Sequence, residues 1–112
     1  MNSERRTLNR NYEFRKVYRN GKSFVSPLLV THVLRRKSGG IYTGISASRK
    51  IGCAVRRNRA RRIVRAAAAE VLRDAAGSYD IVFTCRTATA ASKTPDVART
   101  MREHLKKAGI TD

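Results

Sequence analysis

Arginine dominates the side chains of this sequence that can do chemistry. Residues 48–75 read SRKIGCAVRRNRARRIVRAAAAEVLRDA. Arg49, Lys50, Arg56, Arg57, Arg59, Arg61, Arg62 and Arg65 crowd into 17 positions with no Asp or Glu among them. Four consecutive alanines follow, so the segment reads as a strong helix former. Like charges at i,i+4 spacing repel and weaken a helix. Such loading implies either a polyanion that compensates from outside or a face kept basic for solvation. Arg stands at seven of the eight positions. That choice favours the polyanion, because a planar guanidinium presents five donors in a fork that fits phosphate oxygens.

At the helical period, Ala60, Ile63, Val64, Ala67 and Val71 share one stripe suited to a core. Arg57, Arg61 and Arg65 form an i, i+4, i+8 row beside it, flanked by Asn58 and Arg62. Arg56 lies nearer the core edge and Arg59 away from the row. Arg49 and Lys50, in the loop before the helix, sit beside the free N–H groups of its first turn, a natural phosphate seat. Binding through such groups falls steeply with salt.

Other chemistry finds little support. His104 and Glu103 have no second histidine nearby, and Glu70, Asp74 and Asp80 are scattered rather than paired for acid–base or metal work. Cys53 and Cys85 fit no metal spacing and read as free thiols of a reducing cytoplasm. Phe14 and Tyr18 can stack on unpaired bases or anchor a helix to the core, and spacing alone leans to the core. His32 likewise reads as a stacking group or a satisfied histidine, the latter favoured. No catalytic or metal-ligating set is visible.

The chain has 112 residues, 25 Lys or Arg against 8 Asp or Glu, and a net charge of +17. That field suits nucleic acid or an anionic membrane. A membrane is the weaker partner: Trp is absent, no apolar run approaches the ~20 residues of a span, and the basic helix lacks a bulky aromatic face. MNSERRTLNRNYEF has no apolar core, so it is not a secretory signal.

The elements that must position these groups follow from pattern. Residues 1–8 read as a basic flexible arm and 9–112 as one domain. A first helix runs from Asn9 or Asn11 to about Asn20, with Gly21 as its stop. SPLLVTHVL and IYTGISAS are strands expected to pair antiparallel across the turn Ser38–Gly40. In the second, Ile41, Thr43, Ile45 and Ala47 face a core, while Tyr42, Gly44, Ser46 and Ser48 make a small, polar face. A long helix runs to about Ala75, stopping at Gly77. YDIVFTCR is another strand, and Lys93–Ala108 a last helix with Pro95 in its first turn. Helices on one antiparallel-dominated sheet are expected, α+β in class.

AVRRNRARRIVR, with the preceding SASRKIG, closely resembles the RNR signature of the bacterial ribonuclease P protein component. NYEFRKVYRNGKSF is similar to that family's first-helix segment, and YDIVFTCR and HLKKAG fall where it has a strand and its last helix. The resemblance spans about Leu8 to Gly109. It implies a single-domain α/β sandwich of order αβββαβα with a left-handed βαβ crossover, against the usual hand, and makes residues 9–112 an RNA-binding domain. It implies the protein subunit of a ribonucleoprotein endonuclease that removes the 5′ leader of precursor tRNA. The catalyst is then the RNA, with Mg²⁺ bound mainly by the RNA and substrate, and no further protein is required. Arg49, Lys50, Arg57, Asn58, Arg59, Arg61, Arg62 and Arg65 would contact the catalytic RNA. Phe14, Tyr18 and His32 would line the leader cleft. The alternatives are a small basic ribosomal protein, which has no use for an aromatic cleft, and a DNA-binding helix, for which only Asn58 offers base readout.

Overall fold

The computed structural model describes residues 6–111. Its elements are β1 (Arg6–Thr7), α1 (Asn11–Asn20), β2 (Lys22–Val25), β3 (Leu29–Arg35), β4 (Ile41–Ser46), α2 (Ala54–Val71), β5 (Tyr79–Cys85) and α3 (Thr94–Lys107). Short 3-10 turns stand at Arg49–Ile51 and Thr87–Ala91. Beyond the extra first strand, this is the expected α+β order, αβββαβα.

Residues 6–8 are not an arm. Arg6 and Thr7 pair in parallel with Tyr42 and Thr43, the Leu8 N–H donates to the Thr43 carbonyl at 2.8 Å, and Leu8 is 2% exposed. Burying Leu8 explains the strand, since an apolar anchor three residues before α1 ties the chain down. The rest of the expected arm lies outside the described residues.

The sheet order is β1-β4-β5-β3-β2. This corrects the expected pairing of β3 with β4, because β5 lies between them: antiparallel to β3 and parallel to β4. The turn from Arg36 to Gly40, with Gly39 and Gly40 at positive φ, is long enough to step over one strand, a gap of ~10 Å. Two of the four pairings are parallel, so the sheet is mixed rather than antiparallel-dominated. A parallel neighbour needs a crossover, and α2 is that crossover between β4 and β5. The apolar run Ile81-Val82-Phe83, buried on both faces, is what a central strand requires.

One face of the sheet packs on α2 and α3 through Leu29, Ile41, Val64, Ile81, Phe83, Val97, Met101 and Leu105. As expected, the α2 stripe faces inward: Ala60, Val64, Ala67 and Val71 are buried and Ile63 packs beside them. The other face carries a smaller core, Leu8, Val17 and Val82, with Phe14, Leu34 and Tyr42 against it. Among the described elements α1 alone covers that face, and only in part.

Helix α1 starts at Asn11 with Arg10 at the N-cap. Neither asparagine supplies the cap; Glu13 reaches back, accepting from the Arg10 and Asn9 N–H groups at 3.0 and 3.2 Å. Gly21 ends α1 at φ −87, so left-handed backbone is not its reason. A Cβ there would stand 2.6 Å from the Val33 carbonyl oxygen. Helix α2 ends at Val71, short of Ala75, in a turn that reaches Gly77 at φ 102.

Candidate nucleic-acid interface

Ser48 opens the segment by accepting from the Lys50 N–H at 3.3 Å, which folds Arg49–Ile51 into a turn with Ile51 buried. Gly52 follows at φ 131, a backbone that side chains resist. The turn is then braced from α2. Arg57 Nη1 donates to the Gly52 carbonyl at 2.8 Å, and Arg56 Nε to the Ile51 carbonyl at 3.3 Å. Arg56 is exposed and Arg57 is the more buried of the two, the reverse of the wheel's placement. Arg57 therefore spends part of its fork on the fold.

Arg61 Nη1 donates to Asn58 Oδ1 at 3.2 Å, which orients Arg61 and occupies the residue's amide oxygen. The side chains of Arg49, Lys50, Arg59, Arg62 and Arg65 have no hydrogen bond or ion pair to any described residue, and all five are exposed. Their donors face solvent. Val55, 70% exposed, joins Asn58, Arg61, Arg62 and Arg65 around one shallow groove. Cys53 stands at the N-cap of α2 and its side chain makes no capping hydrogen bond. There the Arg56 N–H, with that of Val55, holds the Cys53 thiol below its ordinary value. The same N–H groups favour any anion placed there.

On the other face of the sheet, α1 leaves a strip open. The register aligns Gly44, Val82, His32 and Ser23 in one cross-strand row, and Ser46, Thr84, Val30 and Val25 in the next. The first row lies under α1. A Cβ on Gly44 would come within 2.7 Å of the Phe14 ring, so the glycine is what lets Phe14 settle on the sheet. The second row is small and uncharged. Thr84 Oγ1 in it has no hydrogen-bond partner in the fold.

Phe14, Tyr18 and His32, brought together from helix and strand, form a ladder along this strip. Phe14 and Tyr18 meet edge-on at 6.4 Å, Tyr18 and His32 at 4.7 Å. Phe14 is half-buried against the small core, which fits the core reading, and Tyr18 is 40% exposed. Ser23 Oγ lies 2.9 Å from His32 Nδ1, and burial pushes the imidazole towards its neutral form. Tyr42 is elsewhere: it packs in the small core with the Arg36 guanidinium 4.0 Å over its ring, and Arg36 also pairs with buried Asp80 at 2.7 Å.

The cleft beside the ladder has a volume of about 530 Å³, and Arg15 and Arg61 enter it with Phe14 and Tyr18. Arg61 thus belongs to both the cleft and the arginine groove. Arg15 and Val55 were missed from sequence, although Arg15 stands at i−3 from Tyr18 and was open to a wheel argument.

Among the described residues, no three His, Cys, Asp or Glu side chains converge to hold a metal. His104 is buried, with Nδ1 2.8 Å from Thr31 Oγ1, and Cys85 is pushed up to about 11 by burial, far from a reactive thiol. Glu70 pairs with Arg102 at 2.8 Å, joining α2 to α3. No described helix is long and apolar enough to cross a membrane.

Comparison with known proteins accords with this arrangement. The family profile for ribonuclease P matches residues 2–109. The ribonuclease P protein component of Clostridioides difficile is 35% identical over 105 residues, 93% of this chain and 92% of that one. That of Clostridium botulinum is 36% identical over 104 residues, 92% and 94% of the two chains. The fold matches the ribonuclease P protein of Staphylococcus aureus at a TM-score of 0.81, with 24% identity over 95% of this chain and 97% of that one. It matches that of Thermotoga maritima at 0.76, with 24% identity over 90% and 96%. The chain belongs to the ribonuclease P protein family.

Proposed function

We propose that this chain is the subunit of ribonuclease P that docks on the catalytic RNA and holds the 5′ leader of precursor tRNA while the RNA cuts it. The observation that carries this reading is Arg61, shared by a groove of unpaired arginines and a cleft with an aromatic ladder. A duplex or folded RNA needs phosphate contacts, which Arg49, Lys50, Arg59, Arg62 and Arg65 supply. Asn58 and Arg61 sit between them, and Arg57 braces the turn that carries Arg49 and Lys50. A single strand needs stacking and backbone charge but little base readout. Phe14, Tyr18 and His32 supply the first, Arg15 and Arg61 the second. Leaders of varied sequence are accommodated this way.

The protein's residues bind and orient; they abstract no proton. Mg²⁺ is assigned to the RNA and substrate. Hydrolysis of the leader bond then takes place at the RNA. The arginines lower the cost of bringing two polyanions together, which is why the protein should matter most when Mg²⁺ is scarce. RNA is the only partner this requires, and we place the complex in the cytoplasm, where tRNA is made.

Reconstitution tests the proposal. Added to a bacterial ribonuclease P RNA at low Mg²⁺, the protein should restore leader cleavage of precursor tRNA. Absence of stimulation with several bacterial RNAs would overturn it.

A further inference from the structure

A second groove, of about 610 Å³, lies at the opposite end of the sheet and on its other face, between the β2–β3 edge and the C-terminus of α3. Pairing of Lys22 with Val33, and of Arg35 with Tyr79, sets these residues in adjacent rows on the α3 side. Lys107 closes the groove from the last turn of α3. Three cations thus converge from three separate stretches of chain, and no acidic residue lines the groove. All three are exposed, and none of their side chains has an ion pair or hydrogen bond to a described residue. The floor is apolar and aromatic: Phe24, Val33 and Tyr79, each less than fully exposed. The α3 carbonyls that would repel an anion are engaged, those of His104, Leu105 and Lys106 accepting from the Ala108, Ile110 and Gly109 N–H groups.

We propose that this groove is a second RNA site, which seats one nucleotide of a single-stranded segment outside the leader cleft. Its phosphate lies among Lys22, Arg35 and Lys107, and its base against Phe24 and Tyr79. The volume falls in the range of small-ligand sites, ~300–1,000 Å³. A cationic rim over an aromatic floor is what single-strand binding requires. The groove faces away from the cleft, so this site stands whether or not the leader assignment does.

The test is amide NMR on the full-length protein titrated with an oligouridylate of about eight nucleotides, a span of ordinary single-strand site size. Signals of Lys22, Phe24, Arg35, Tyr79 and Lys107 should shift on a binding curve separate from that of Phe14 and Tyr18. The double variant Arg35→Gln/Lys107→Gln removes two exposed charges and leaves the core intact. It should weaken the groove's curve about 5-fold in ~0.1 M salt and flatten its salt slope by about 0.7, as loss of one single-strand phosphate contact requires. The Phe14 and Tyr18 curve should not move. Groove signals that stay still while the cleft saturates would overturn the proposal. Equal affinity for uridine monophosphate would make the occupant a free nucleotide, and equal affinity for polyglutamate would make it an acidic peptide; either result overturns the RNA assignment.

Discussion

Charge in the RNR segment divides into two jobs. Arg57 and Arg56 spend donors on the Gly52 and Ile51 carbonyls, while Arg62 and Arg65 keep theirs for solvent or RNA. Arg62→Ala should therefore weaken binding to ribonuclease P RNA and reduce the salt slope by about 1, with no loss of folding. Tyr18→Ala should leave that binding intact but cost about 1–3 kcal/mol of affinity for a leader-bearing precursor over mature tRNA, the worth of one stacked base. Filter binding against salt, with both RNAs, separates the effects. Identical defects in the two variants would dissolve the distinction between docking face and cleft. Arg61→Ala, at the boundary, should show both.

Helix α1 makes the cleft by leaving part of the sheet uncovered, and Gly44 sets how closely it sits. The Phe14 ring occupies the space a β-carbon would take. Gly44→Val should push Phe14 and α1 outward, costing about 1–3 kcal/mol of stability, as overpacked sites do. On the proposed function, weaker leader binding should accompany the loss, while affinity for the ribonuclease P RNA holds, since α2 lies across the sheet. Thermal unfolding together with the two binding assays checks this. Unchanged stability would mean that α1 is not seated by that contact.

Taken whole, the molecule is a +17 body whose two histidines are both pushed towards the neutral form. Burial, then the charge of Lys107, keeps His104 below its ordinary value, with Glu103 opposing; burial does the same to His32. The unfolded chain takes up these protons near pH 6.5, before the folded one does. Stability should be full above about pH 6.5 and should decline as pH falls from there through the folded values. Protonation would also force a charge into the contact with Thr31 that ties α3 to β3. Denaturant melts from pH 8 to 5 should show this loss, and His104→Gln should flatten the slope. A wild-type curve level across that window would refute it. The family assignment also decides against the ribosomal-protein alternative, which size and charge alone had left open.

Periodicity and charge were local properties, and they were legible. The α2 core stripe, the exposed arginines and the Pro95 start of α3 all follow from residue types at fixed spacing. The family could be recognised for the same reason, since RNR is contiguous. Pairing was not local. That β5 separates β3 from β4 depends on which strand buries two faces, and although Ile81-Val82-Phe83 carried that signal, the short turn before β4 argued for a hairpin. Leu8 joined the core only because β4 offered Thr43 as a partner. The cleft required Phe14 and Tyr18 of α1 to meet His32 of β3, with Phe14 seated over a glycine in β4, and Lys22, Arg35 and Lys107 met through still longer separations. Such juxtapositions are decided when the whole chain buries its apolar surface at once, because no segment contains both sides of the contact.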